Sequence, residues 1–392
     1  MWICTKTSKP KGQAPVTLRD ATPGFFDNVH LPVLTSIFQG LLLVYTNRIK
    51  WLVVVAHFGL FAATGSAHAA GGKVFVADEE SDTVSIIDTT TLKTIGRVAV
   101  GQEPHNVQVT PDGKLVWVTN NGESAEENKE TSETKMSRSV DMAGTAPGAV
   151  WAIDTATAKV VAKVPVGMHP PHVVVSGDGR TAYVTNGGDN SVSVVDTNAH
   201  QVIATIPVGT FPHGLRISPD GRQVWVANLK GETVSVIDTG SRKEIAKIAV
   251  GKGPAQVGFT PDGRFMFVSL SGENQVAVID PASRKMIGKV AVGTVPIQLY
   301  ATPDSKFVLV ANQGSPGKPG NTVSFIDVAG LKVAATIKTG AGAHGLAITP
   351  DGRHAYVTNT YANTVSVIDI GDRKVIATVR VGKGPNGISI TP

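Results

Sequence analysis

The chain has 392 residues, enough for one large or two average domains, and carries 36 Lys/Arg against 31 Asp/Glu. Charged residues make up only 17%, aromatics 6%, and there are 42 glycines. That balance excludes a disordered chain and a helical bundle, and suits many short Val/Ile-rich strands joined by tight turns.

Residues 1–69 stand apart from everything after them. Arg48 and Lys50 precede an apolar run from Trp51 to Ala63, broken only by His57 and Gly59, and the run exits through Ser66-Ala67-His68-Ala69-Ala70. A basic flank, an apolar core and an A-x-A exit predict a secretory signal peptide over about 44–69, with cleavage after Ala69. A membrane anchor would need ~20 apolar residues, more than this run offers. Residues 1–43 carry no fold signal and are too long a leader for such a signal; a misassigned start codon accounts for them. The whole of 1–69 is thus a presequence, and 70–392 is the mature domain. Removing the presequence leaves 30 of the 36 basic and 29 of the 31 acidic residues, so the mature chain is close to neutral. Nucleic acid is therefore not an expected partner, and no transmembrane anchor remains after cleavage. The single cysteine, Cys4, leaves too, so neither disulfides nor thiolate chemistry is expected.

From Lys73 onward one fragment recurs, a Val-Ser-Val-Ile-Asp-like strand end at Asp88, Asp154, Asp196, Asp238, Asp280, Asp327 and Asp369. Four of the six intervals are 42 residues; the other two, 66 and 47, are the same unit with 24 and 5 residues added. A ~40–45-residue period with four short strands per unit is the mark of propeller blades. The first unit supplies strands at 73–77, 83–87 and 94–100 but no strand before them. In the fourth, strands are predicted at 214–218, 223–227, 233–237 and 244–250, with Pro219-Asp220-Gly221 and Asp238-Thr239-Gly240 as turns. The aromatic at the centre of the second strand recurs as Phe75, Trp117, Tyr183, Trp225, Phe267 and Tyr356, with Leu309 as the exception, and is expected to pack between blades. Residues 386–391 form a lone first strand. Joined to 73–100, it completes a blade from both ends of the repeat region and closes the ring. The expected fold is all-β: a seven-bladed β-propeller of four-stranded antiparallel blades, monomeric.

The segments Tyr183-Val184-Thr185-Asn186 and Tyr356-Val357-Thr358-Asn359 identify a resemblance over essentially all of 71–392. The chain resembles the YVTN-repeat β-propellers of bacteria, of the exported YncE-like type. The resemblance implies a periplasmic or secreted protein, mostly a binding protein. It also implies similarity to haem-d1-binding and lactonase-like propellers, at the level of fold.

Chemistry is expected on one face. Loops leading into the first strands and loops joining second to third strands share a side, the top; the Pro-Asp-Gly and Ile-Asp-Thr turns share the other. Four or five residues after each Val/Thr-Gly, every unit places an imidazole or amide: His105, His172, His213, Gln256, Gln298, His344 and Asn386. These seven are the candidate ligand-binding residues, and His169 adds an imidazole within His-Pro-Pro-His. His105, His172 and His213 fall on consecutive blades and form the candidate metal trio, since neutral imidazole suits Zn, Cu, Ni and Fe. His344 needs a narrow channel or a bridging ligand to join them. The competing reading is that Pro-His-Gly is repeat consensus, its imidazole bonded to the next blade's backbone. Both insertions, 123–148 and 314–320, fall on the same top face, the first as a polar, Glu-rich loop beside His105 and His172.

No Gly-x-Ser-x-Gly, His-Glu-x-x-His, P-loop or Cys-x-x-Cys-His occurs, so catalysis and covalent haem have no motif behind them. The expected function is a periplasmic binding protein holding a small-molecule, metal or protein ligand at the channel mouth. The alternatives are a metal-assisted hydrolase or lactonase, a haem-binding redox protein, or an interaction scaffold using 123–148.

Overall fold

In every unit the chain runs down, up, down and up, because a Pro-Asp-Gly or Asp-capped turn follows each short β-branched strand. The computed structural model describes residues 72–122 and 147–392. The expected presequence with its expected signal segment, and positions 123–146 of the long insertion, lie outside the described residues.

Seven four-stranded antiparallel sheets result. Blades 2 to 7 take 104–165, 173–207, 212–249, 254–291, 296–338 and 343–380 in order. Blade 1 joins Pro385–Ile390 to Lys73–Asp78, Thr83–Asp88 and Lys93–Ala99. The closing strand pairs Val74 with Ile390 and Val76 with Ile388, and Lys73 N–H donates to Thr391 Oγ1 at 2.9 Å. Seven apolar cores lie between the blades, each shared by two neighbours. One of them joins blade 7 (Tyr356, Val365, Val367) to blade 1 (Val74, Val76, Ile388), which makes the ring continuous. The central aromatics fill these wedges as expected: Trp117, Trp225, Phe75 and Phe267 are wholly buried, Tyr183 and Tyr356 nearly so, and Leu309 takes the same place in blade 6.

The outermost strand of each blade breaks register at one equivalent point, for example between Val236 and Ile237 opposite Ala246 and Glu244. The residue skipped there is Ile95, Val161, Ile245, Ile287 or Ile376 in five of the blades. These are among the most exposed large apolar side chains of the described residues, Ile95 at 55%. Each bulge turns one apolar residue outward and twists the edge, which with the lysine that opens most of these strands discourages edge-to-edge pairing.

The turn aspartates act as caps. Asp88 Oδ1 accepts from Thr90 N, Thr91 N and Thr91 Oγ1 at 3.1, 2.7 and 2.8 Å. The shorter insertion is more ordered than a loop. It lengthens the second and third strands of blade 6 to Phe307–Ser315 and Lys318–Asp327, with Ser315 opposite Lys318 across a two-residue turn. Among the described residues no helix is long and apolar enough to cross a membrane.

Candidate functional site

The first strands are innermost, and in six of the seven blades they begin with a break in register, as between Pro212 and Leu215. At this point a second-strand hydroxyl engages the backbone of the first strand in four blades. Thr185 Oγ1 accepts from His172 N at 3.1 Å and donates to the carbonyl of His213 in the next blade at 2.8 Å. Thr119, Ser269 and Thr358 make the equivalent bridges to Pro171, Ile297 and Asn386. The hydroxyl at the Thr position of the repeated Tyr-Val-Thr-Asn segment is thus a clamp at the channel mouth in four blades, while Ala77, Ala227 and Ala311 hold that position in the other three. In blade 4 that position is Ala227, which has no hydroxyl. The carbonyl it would have engaged, Ala255 O, instead accepts from His213 Nδ1 at 2.9 Å. A carbonyl only accepts, so His213 carries its proton on Nδ1 and offers Nε2.

Four imidazoles converge. Ring centroids of His172 and His213 are 4.7 Å apart, His105 lies 5.6 and 5.4 Å from them, and His344 lies 6.1 Å from His105. The channel is therefore narrow enough for His344, two blades away, to reach the group. His105, His172 and His213 each offer a nitrogen within 4.8 Å of the other two. A metal bound at 2.0–2.1 Å needs nitrogens about 3.4 Å apart, so closing on an ion asks each ring to move by roughly an ångström. Among the described residues, His105 Nε2 and both nitrogens of His172 are buried without a hydrogen-bond partner. Unpaired polar atoms at this depth are costly unless a ligand engages them.

Burial, joined by mutual repulsion, disfavours the charged form of His172, His213 and His344. It drives His172 well below its ordinary value, with His213, His105 and Arg216 adding to the effect. His213 and His344 are each lowered to about 3, burial first and the His105 charge second, opposed by a backbone carbonyl. His169, on the rim against Phe211 at 5.5 Å, is lowered to about 4 by burial and His105.

The sequence reading missed Glu79. It sits on a 3-10 turn, Glu79–Ser81, in the second-to-third-strand loop of blade 1. Its Oε2 lies 3.7 Å from His105 Nδ1 and accepts from Asn386 Nδ2, which is itself 3.0 Å from that ring nitrogen. Burial alone would push the Glu79 carboxyl up, but hydrogen bonding and attraction to His105, with help from Asn386, hold it below its ordinary value. The signal for it was present: an acidic pair, Glu79-Glu80, in a top-face loop one blade before His105.

Asn386 thus joins the histidines. Gln256 and Gln298 face each other instead, Gln256 Nε2 donating to Gln298 Oε1 at 3.3 Å while Gln256 Oε1 accepts from Val257 N at 2.9 Å. Gly214 leaves room for this arrangement, since a Cβ there would stand 2.4 Å from Gln256 Oε1.

A sequence profile described as YncE-like β-propeller matches residues 51–141, 140–264 and 263–391, which is nearly the whole repeat region. The chain belongs to the YncE-like β-propeller family. Among solved structures, this YncE-like chain is similar to the hydrazine synthase of Kuenenia stuttgartiensis, at 25% identity and a TM-score of 0.59 over 72% of this chain and 88% of that one. The periplasmic gluconolactonase of Pseudomonas aeruginosa is 20% identical, TM-score 0.64, over 82% and 99%. A dihydro-haem d1 dehydrogenase is 18% identical, TM-score 0.58, over 81% and 74%. The last two likenesses are of fold alone. No curated protein sequence matches the chain significantly.

Proposed function

We propose that this YncE-like propeller is an exported binding protein whose channel mouth takes one transition-metal ion through His105, His172 and His213. The observation that carries the reading is the convergence of three imidazoles, two of which, His105 and His172, have buried nitrogens without a partner. Two requirements of such a site have support. The ligating rings must be neutral, and burial keeps His172 and His213 so. Their tautomers must be fixed, and the Ala255 carbonyl fixes His213 with Nε2 free. Behind His105, Asn386 Nδ2 can only donate to Nδ1 at 3.0 Å and the Glu79 carboxylate lies 3.7 Å away, so binding through Nε2 asks the ring to give up its Nε2 proton as the metal enters. Imidazole ligands suit Zn, Cu, Ni or Fe, with His344 close enough to complete four. Export rests on the basic flank, apolar run and A-x-A exit before Ala70.

The test is metal content, by inductively coupled plasma mass spectrometry, of the mature protein purified without a histidine tag. It is compared with the His105→Ala/His172→Ala/His213→Ala variant. About one metal per chain, lost in the variant, is expected. No metal in either protein after incubation with Zn, Cu, Ni and Fe salts would end the metal reading. A Soret band in the same sample would replace it with the haem one.

A further inference from the structure

At the lower ends of the first strands of blades 4, 5 and 6, with the turns that follow them, lies a separate cleft of about 340 Å³. One cation, Arg216, enters it. The side chain starts in blade 4 and reaches across blade 5 to lie on the ring of Tyr300 in blade 6, with Cζ 4.6 Å from the centroid. Gly258 makes the crossing possible. It occupies the equivalent place in blade 5, where a Cβ would already stand 2.4 Å from Leu299 Cδ1. Of the guanidinium's five N–H donors, one meets the Leu215 carbonyl at 3.0 Å. Among the described residues no carboxylate lies within ion-pair reach of Arg216. Phe259, itself held edge-on against Trp225 at 5.7 Å, supplies an aromatic wall, and Leu299 and Pro261 continue the apolar lining.

We infer that this lower cleft is a second binding site, for a small organic carboxylate with a planar apolar body. A half-buried guanidinium stacked on an aromatic ring is pre-ordered, so little rotamer freedom is lost when its N–H edge engages an anion. The fork matches a carboxylate in two parallel bonds. The apolar walls call for a ligand with surface to bury, which a bare inorganic anion lacks. None of its residues is a candidate metal ligand, although the Arg216 charge is felt at His172.

The probe is benzoate, titrated into the mature protein and followed by saturation-transfer NMR, with benzamide as its neutral isostere. Benzoate is expected to saturate, and benzamide to bind at least about tenfold more weakly, as loss of a charge-assisted pair implies. Arg216→Gln should weaken benzoate by a similar factor without loss of metal content, since removing the Arg216 charge only relieves repulsion at His172. Tyr300→Leu, which removes the platform and keeps the charge, should weaken it too. The His105→Ala/His172→Ala/His213→Ala variant should retain wild-type affinity for benzoate. Equal binding of benzoate and benzamide, displacement of benzoate by equimolar inorganic phosphate, absence of saturation, or loss of benzoate only in the triple-histidine variant would each overturn the assignment. The benzoate–benzamide comparison uses the unaltered protein, so it decides the matter even where a variant fails to fold.

Discussion

Acidifying the metal-free protein from pH 6.5 to 5 will cost it about 3 kcal/mol of stability through two residues, His213 and His344. They are 9% and 6% exposed, and burial with the His105 charge holds each at about 3. In the unfolded chain a histidine titrates near 6.5. Between these limits the unfolded state binds a proton on each ring and the folded state binds none, so stability rises with pH and is lost as pH falls. Each ring contributes about 1.6 kcal/mol over this interval, the slope approaching about 1.4 kcal/mol per unit once the unfolded form is charged. The turn aspartates do not blur the effect. Asp112, Asp220, Asp262 and Asp304 all sit below their ordinary value because Ser or Thr hydroxyls donate to them, so they stay ionised in both states above pH 5. The assay is urea unfolding at four pH values in the presence of a chelator. His213→Gln/His344→Gln should flatten the profile by roughly 3 kcal/mol, a large part of a typical domain's 5–15. A wild-type midpoint independent of pH over this range, or a variant that falls as steeply, would refute the burial argument.

Glu79→Gln keeps shape and removes the charge behind His105; metal affinity, read by competition with a chelating dye, should fall about 10–100-fold. Unchanged affinity would remove Glu79 from the site. Asp78 occupies the place that Asn186, Asn228 and Asn359 hold in other blades. It accepts from Thr83 and Ser85 at 2.9 and 2.7 Å, where the asparagines donate to the matching hydroxyls. Hydroxyls can reverse, and burial raises this carboxyl, so Asp78→Asn should leave the melting temperature unchanged or raise it. A loss above about 1 kcal/mol would show that the charge is needed. Trp225→Ala should cost about 3–5 kcal/mol, because the indole is wholly buried between blades 4 and 5. A loss under 1 kcal/mol in urea unfolding would contradict that wedge role.

The fold was legible because each blade repeats one local rule, and the positions of Trp117, Trp225 and Tyr356 already fixed which strand meets the neighbouring blade. Even the composite blade could be read from a first strand at 386–391 without successors and a second strand at 73–77 without a predecessor. The site was legible only as a face. That His105, His172 and His213 converge depends on the channel radius, a property of seven blades together that no local spacing encodes. Alternation along the strand hid the pairing of Gln256 with Gln298. Glu79 escaped because it stands in a turn of blade 1 and acts across to blade 2. The substitution of Ala227 for Thr, which frees the Ala255 carbonyl for His213, was visible in the chain but meaningless without the clamp it removes.

Blade 1 also sets a timetable. Lys73 and Thr391, hydrogen-bonded in the ring, are 318 positions apart in the chain. Contacts of that separation form late, because the loop they close is nearly the whole domain. Until residues 385–390 are at hand, the strand at 73–78 has one bare edge, and the core shared with Tyr356 and Val367 lacks Ile388. A chain arranged this way cannot lock from one end: the ring latches only when residues 385–390 join the strand at 73–78, so closure is a late step of folding.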